Sequence, residues 1–321
     1  MTILYYADSS NKITQVKLSK GESVLNGLLR YGIDVPYGCR NGVCQSCLMK
    51  STIGDEVPFD AQKGLRSAQK DQGYFLSCCC QPERSMTVSI SDLYKKEESV
   101  VLEKAQLSAT VVRLRLSKAI CYRPGQFATL WKDDTIARTY SIASNSSHDD
   151  FLEFHVRVYP DGVFSNWVAD EVKEGDVIQV QGAMGDCFYT SDCKDHPLFL
   201  SGLGTGLAPL YGIVRDALLQ GHKQDIVMLL GAKTKDSLYY QAEIGKLSND
   251  YPQLRVYYSV AELQEDDHVY AKAQSLIPDF TGYRVFLSGG DSFVQKMRKQ
   301  CFLAGANMTD ISADIFLMMQ Q

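Results

Sequence analysis

Hydrophobic and polar positions change their rhythm twice along this chain. Up to about residue 95, short alternating runs accompany one helical pattern. Ile3–Tyr6 and Ile13–Leu18 predict a hairpin across the turn Asp8–Asn11, and Ser23 predicts an N-cap for a short helix carrying Val24, Leu25, Leu28 and Leu29. Met86–Ile90 alternates again and predicts a closing strand, while Leu93–Ser99 is charged and predicts a linker. From about 100 to 193, Leu107–Leu116 and Leu152–Val158 alternate, Gln126–Trp131 is apolar and Asp176–Gln181 predicts a last strand. Short antiparallel strands punctuated by Gly and Pro predict a small β-barrel. From 194 on, apolar strands at Pro197–Ser201, Asp225–Leu230, Leu254–Val260, Arg284–Ser288 and Ile311–Phe316 alternate with helical patterns near 207–220, 239–249, 269–277 and 291–304. That alternation predicts a doubly wound parallel sheet. The expected division is therefore three domains, 1–95, 100–193 and 194–321, in a multidomain chain of α+β and α/β parts.

Composition narrows the classes without naming one. The 321 residues are 45% hydrophobic with a net charge of −5, which is ordinary for a globular chain and gives no case for nucleic acid. The first 95 residues carry eleven Lys or Arg against nine Asp or Glu, a balance of +2, so the acidity lies in the remainder. No run of 18 apolar residues occurs, so no membrane span is expected. The opening Met1–Asp8 lacks the basic and long apolar regions of a signal peptide. Ten cysteines in so long a chain do not read as a secreted disulfide scaffold, and a cytoplasmic protein with reduced thiols is expected.

Cysteine spacing supplies the first chemistry. Cys39, Cys44 and Cys47 stand in the pattern Cys-x4-Cys-x2-Cys, and Cys78 follows after thirty residues. This is the plant-type [2Fe-2S] spacing: two irons need four thiolates, three from one tight loop and one from elsewhere. Gly38 and Gly42 let that loop turn closely, and Ser46 is small enough to sit between two ligands. A zinc site favours paired Cys-x2–4-Cys knuckles, and only Cys44 and Cys47 make one. The fourth thiol has a register ambiguity, because Cys78, Cys79 and Cys80 are adjacent. In an extended segment Cys78 and Cys80 point one way and Cys79 the other, which leaves Cys80 as a competitor.

Two further constellations lie downstream. Arg138-Thr-Tyr140-Ser141 occupies a barrel strand, and Gly162-Val163-Phe-Ser165 opens a helical stretch reaching Val172. Arg138 can fork onto a diphosphate oxygen, Tyr140 offers a flat ring to stack on a planar cofactor, and Ser141 offers a hydroxyl at its edge. Gly162, Val163 and Ser165 place backbone N–H groups at a helix start, a setting for phosphate. These residues alone give an anion site beside an aromatic platform. In the last part, Gly202-Leu-Gly204-Thr205-Gly206-Leu-Ala-Pro209 links a strand to a helix, so that backbone can approach a pyrophosphate. It is not the G-x-G-x-x-G fingerprint, since Leu207 stands at the third glycine and no acid follows the second strand.

Taken in this order the motifs resemble those of the ferredoxin–NADP reductase family. Its flavin signature, Arg-x-Tyr-Ser/Thr followed by Gly-x-x-Ser, is matched at Arg138, Tyr140 and Ser141 and at Gly162 and Ser165, which implies FAD. Its Gly-x-Gly-x-x-Pro turn is matched at Gly204, Gly206 and Pro209, with Thr205 between the glycines. Phe75-Leu-Ser-Cys78 resembles the segment that closes the cluster in ferredoxin-type reductases, and the match selects Cys78. The resemblance also places Ser288, in Leu287–Asp291, where the family has a cysteine beside the nicotinamide, and makes Asp314 and Phe316 the candidate acid and aromatic near the flavin. With the cysteine loop included, nearly the whole chain resembles the NAD(P)H reductases with an N-terminal β-grasp ferredoxin domain found beside bacterial oxygenases.

The resemblance implies a mechanism. Nicotinamide gives two electrons at once and the cluster takes one, so a flavin must stand between them. The electrons then leave to a protein acceptor, expected to be an oxygenase component. The alternatives are the reductase of a biosynthetic, deoxysugar-type enzyme and a redox-sensing module with a regulatory partner. Lys233 and Lys235 follow the second strand without the bidentate Arg that a 2′-phosphate favours, so NADH is the expected donor and NADPH the alternative. Arg40, inside the cluster loop, is expected to point to solvent and face an acidic acceptor.

Overall fold

The computed structural model describes residues 2–8, 10, 12–35, 37, 40, 42, 47–52, 55–65, 67–90, 96–263 and 268–316. It falls into two compact units, Met1–Lys95 and Lys96–Gln321.

The first unit is built on a five-stranded mixed sheet. Strands β1 (Thr2–Ala7) and β2 (Ile13–Leu18) form the expected hairpin; β3 (Leu48–Ser51), β4 (Tyr74–Leu76) and β5 (Met86–Ser89) complete the order β2-β1-β5-β3-β4. β1 and β5 run parallel, with Leu4 opposite Met86, and the other pairs are antiparallel. Helix α1 (Val24–Arg30) covers one face. Its Val24, Leu25 and Leu28 join Leu4, Val16, Met49 and Phe75 in the core, as the alternation and the helical spacing require. Ser23 caps α1 as expected, its side chain accepting from the Asn26 N–H. A second, short helix α2 spans Ser67–Asp71.

The second unit begins with six antiparallel strands: β6 (Lys96–Ser108), β7 (Val111–Ser117), β8 (Phe127–Trp131), β9 (Ala137–Ser141), β10 (Phe151–Arg157) and β11 (Val177–Met184). Their order is β10-β7-β6-β11-β8-β9. A bridge between Ile142 and Phe154 brings the two edges together and closes the sheet into a barrel. Inward residues at every second position, among them Leu114, Leu116, Leu130, Phe154, Val156 and Val180, fill it. Two expectations are corrected here. Leu107–Leu116 is not one strand but a hairpin turning at Ala109–Thr110, because apolar residues continue on both sides of the turn and the period does not register it. Lys96–Ser99 is not linker but the start of β6, paired with Ile178–Gln181; its charged residues are half-buried or exposed, and Ser99 is buried.

The rest of the unit is a parallel sheet of β12 (Leu198–Leu203), β13 (Ile226–Ala232), β14 (Leu254–Val260), β15 (Arg284–Gly290) and β16 (Ile311–Phe316), in the order β14-β13-β12-β15-β16. Helices α4 (Leu207–Leu219) and α5 (Gln241–Asp250) pack with Leu198 and Leu200 on one face; α6 (His268–Leu276) and α7 (Asp291–Leu303) pack with Phe199 and Leu229 on the other. The strand order reverses between β12 and β15. Ligands of such sheets lie in the crevice beyond the carboxyl ends of the strands at that point, where Gly204–Gly206 and Ser288 stand.

Candidate functional site

In the first unit, the segment after β4 is a turn whose position is fixed from two sides. The first N–H groups of α1, on Val24 and Leu25, donate to the carbonyls of Cys80 (2.8 Å) and Ser77 (3.0 Å), so the turn satisfies donors that a helix start leaves unpaired. Ser77 holds the cysteine loop in turn, its hydroxyl and its N–H both donating to the Cys47 carbonyl at 2.9 and 3.0 Å. Cys78 Sγ then lies 3.2 Å from Cys47 Sγ. Cys80 is fully buried among the core side chains, and burial pushes its thiol up to about 12. Cys80 thus points into the core, while Cys78 lies beside Cys47. Cys39 and Cys44 lie outside the described residues. Two sulfurs on one tetrahedral metal, with bonds of about 2.3 Å, stand about 3.8 Å apart. Cys47 and Cys78 are close enough to share an iron with little adjustment. Arg40 is exposed, as expected; its backbone is left-handed at φ 56° and its guanidinium lies 4.3 Å from the centre of the exposed Tyr37 ring.

In the second unit, one cleft gathers residues from both its barrel and its parallel sheet. Tyr140 and Ser141 at the end of β9 line it with Arg157 from β10, Thr205 and Ala208 from the glycine turn and α4, and Phe316 from the end of β16. Strand alternation puts Arg138 on the same face as Tyr140. Phe164 of α3 (Val163–Asn166), with its ring centre 5.6 Å from that of Tyr140, braces the tyrosine and is itself packed on Trp167 at 5.1 Å. Burial raises the Tyr140 phenol, so the ring stays neutral. A π-type turn, Trp167–Glu171, carries the helical stretch nearly to the expected Val172. The Ser165 hydroxyl is spent inside its own turn: it donates to the Gly162 carbonyl (3.2 Å) and accepts from the Tyr159 N–H (3.3 Å). A Cβ on Gly162 would stand 2.2 Å from that hydroxyl, so the Gly-x-x-Ser pattern is first a requirement of the turn.

The Ser141 hydroxyl donates to Asp314 Oδ2 at 2.6 Å, joining strands 173 residues apart. Burial pushes the Asp314 carboxyl up to about 6; the bond from Ser141 opposes the rise and the charge of Asp186 adds to it. Asp314 lies opposite Ser288 on β15, which lies opposite Gly202 on β12. Ser288 is fully buried, and its hydroxyl has no hydrogen-bond partner among the described residues. An added Cβ on Gly206 would fall 2.2 Å from the Ser288 carbonyl oxygen, so only glycine lets the turn press against the end of β15. Pro209 sits in the first turn of α4, where its missing N–H costs nothing. An aromatic plate, an edge hydroxyl, a glycine cradle and an unsatisfied buried hydroxyl fit a flavin and a nicotinamide dinucleotide.

The structure thus brings Tyr140, Ser141, Thr205 and Phe316 into one cleft. Arg138, Gly162, Val163, Ser165 and Pro209 flank it without lining it. Arg157 and His155, which also lines the cleft, had no motif to reveal them. The only sequence sign was a cation ending the alternating run of β10, with a polar residue two positions before it.

Behind His155 a buried network ties barrel to sheet. His155 bonds Tyr239 and Glu153, each at 3.1 Å; Arg115 donates to Glu153 at 2.6 Å, and Tyr240 donates to Glu153 as well. Burial would raise the Glu153 carboxyl, but its bonds to His155, Tyr240 and Arg115 win and hold it at about 2. Asp149 and Arg215 add a bidentate pair across the same seam at 2.6 and 2.9 Å. These contacts fix the spacing of the cleft walls.

Residues 9–83 match the 2Fe-2S iron-sulfur cluster binding domain, 98–189 the oxidoreductase FAD-binding domain and 199–285 the oxidoreductase NAD-binding domain. The naphthalene 1,2-dioxygenase system ferredoxin–NAD(P)+ reductase component of Pseudomonas putida is 30% identical over 94% of this chain and 95% of its own length. A terephthalate 1,2-dioxygenase reductase component of a Comamonas species is 27% identical over 92% of each chain. Among solved structures, an Amycolatopsis cytochrome P450 reductase has the same fold, with a TM-score of 0.65 and 23% identity over 98% of both chains.

Proposed function

Because this chain belongs to the family of ferredoxin–NAD(P)+ reductases that join 2Fe-2S, FAD-binding and NAD-binding domains, we propose that it is the reductase component of an oxygenase system, taking electrons from NADH and passing them singly to the oxygenase or its ferredoxin. The observation that carries this reading is the single cleft in which Tyr140 and Ser141 face Thr205 and Ala208, so that a flavin platform and a dinucleotide turn share one space. FAD, when bound, accepts an electron pair as hydride and hands the electrons on one at a time.

The residues divide that work. Tyr140 and Phe316 would bound the flavin ring, and Arg138, Gly162, Val163 and Ser165 its diphosphate. Gly204, Thr205, Gly206 and Pro209 form the turn for the dinucleotide pyrophosphate, with Arg157 as the cation across the cleft. Ser288, buried behind the glycine turn, would stand beside the nicotinamide. Asp314 holds a proton below about pH 6 and can exchange it through Ser141 Oγ. Cys39, Cys44, Cys47 and Cys78 would hold the cluster. We place the domain borders at 1–95, 96–193 and 194–321, with the second domain starting at Lys96 to include all of β6.

NADH is favoured over NADPH by the turn after β13. Lys233 and Lys235 are exposed there, but the Glu262 side chain accepts from the Lys235 N–H at 2.7 Å, and an acid at this place repels a 2′-phosphate. The exposed Cys121 suits a reducing compartment, the cytoplasm. Among the described residues no helix is long and apolar enough to cross a membrane. The test is NADH-driven reduction of cytochrome c, with kcat/KM compared for NADH and NADPH. Fast reduction with NADH preferred is the expected result; no reduction, or a tenfold preference for NADPH, would overturn the enzyme reading or the donor respectively.

A further inference from the structure

The three adjacent thiols after β4 separate in the structure. Cys80 enters the core. Cys78 and Cys79 do not alternate, because residues 77–79 form a turn in which the Cys79 N–H donates to the Leu76 carbonyl at 3.0 Å. Both thiols are half-buried, and Cys79 Sγ lies 3.6 Å from Cys78 Sγ. The cluster loop touches both. Cys47 Sγ, at the end of that loop, lies 3.2 Å from Cys78 Sγ. A Cβ added to Gly42 would come within 3.0 Å of Cys79 Sγ, and Gly42 holds a φ of 82° that other residues rarely adopt.

Sulfurs on one tetrahedral metal stand about 3.8 Å apart, so an iron within reach of Cys78 is within a side-chain rotation of Cys79. Among the described residues no three Cys, His, Asp or Glu side chains converge on one metal position. A [2Fe-2S] cluster takes four thiolates, so Cys79 is a substitute for Cys78 and not an added ligand.

We propose that Cys79 is a reserve fourth ligand of the [2Fe-2S] cluster, taking over the iron position of Cys78 when that thiolate is lost. In the exchange the Cys79 thiol gives its proton to solvent and its sulfur forms an iron bond, while the bond to Cys78 breaks and that sulfur takes up a proton. One thiolate replaces another, so cluster charge and electron count are unchanged. The proposal rests on Cys78 as the resting ligand, and the test separates the two.

The full chain is reconstituted with iron and sulfide as wild type, Cys78→Ala, Cys79→Ala and the double variant. Iron, sulfide and FAD are assayed, and the dithionite-reduced proteins are examined by EPR. Alanine is used because serine can itself ligate; Cys78→Gly serves as a second replacement should the alanine chain fail to fold, judged by circular dichroism and FAD content. Wild type and Cys79→Ala should give the same EPR signal. Cys78→Ala should keep about two irons per chain with shifted g values, and the double variant should lose them. A folded Cys78→Ala chain without iron overturns the proposal, as does a double variant that keeps its cluster. A Cys78→Ala signal identical to wild type, with the cluster lost in Cys79→Ala, overturns Cys78 as the resting ligand and the reserve role with it.

Discussion

Replacing Asp314 with Asn tests the electrostatics at the rim of the cleft. Asp314 is 8% exposed, and burial lifts its carboxyl from 3.8 to about 6 against the bond from Ser141 and with the help of Asp186. The folded chain therefore holds this proton more tightly than the unfolded chain. Stability from that protonation is complete below about pH 3.8 and is lost as the pH rises through about 6. The full loss is about 3 kcal/mol, of which about half has already gone at pH 5 and nearly all by pH 8. The Asp314→Asn chain cannot ionise at this position. It carries a separate cost, because an amide donor replaces an acceptor in a buried site, but that cost does not vary with pH. The stability difference between variant and wild type should thus move about 1.5 kcal/mol in the variant's favour between pH 5 and pH 8. Urea unfolding of the flavin-free chain, followed by tryptophan fluorescence, reads it directly, since the only two tryptophans, Trp131 and Trp167, both belong to the second unit. A difference that stays flat across this range would refute the argument.

Arg40→Glu should slow electron delivery to an acidic acceptor by up to roughly tenfold at low salt, and added salt should shrink the effect. Stopped-flow should show flavin reduction by NADH unchanged, and the basic protein cytochrome c should be reduced faster by the variant; equal rates with both acceptors would rule out a charge-guided docking face. Phe154→Ala empties the centre of the barrel beside the Ile142 bridge and should cost about 3–5 kcal/mol by denaturant unfolding, with weaker FAD retention on gel filtration. A loss below about 1 kcal/mol would mean that the barrel repacks around the gap.

Much of this architecture was legible in the chain because its signals are local. Cysteine spacing, the Arg138–Ser141 run and the alternation of apolar strands with helical patterns each declare themselves within a few residues. The failures have physical reasons. Apolar residues ran through the turn at Ala109–Thr110, so periodicity merged β6 with β7. Charge in Lys96–Ser99 imitated a linker, although those side chains belong to a paired strand. Alternation would put Cys78 and Cys80 on one side only in an extended segment; the chain turns after β4, and a turn has no period of two. The Ser141–Asp314 bond and the Glu153 network join residues far apart in sequence, and only the closed barrel seated on the parallel sheet brings them together.

The central claim is that electrons enter as a pair at the Tyr140 cleft and leave singly from the cluster. Anaerobic mixing of the holoprotein with NADH, followed by flavin absorbance and freeze-quench EPR, tests it most directly. The flavin band should bleach and the reduced-cluster signal should then appear without any other reductant; in Cys47→Ala the bleaching should persist and the signal should be lost. A fully reduced flavin beside a cluster that stays oxidised until dithionite is added would contradict the account.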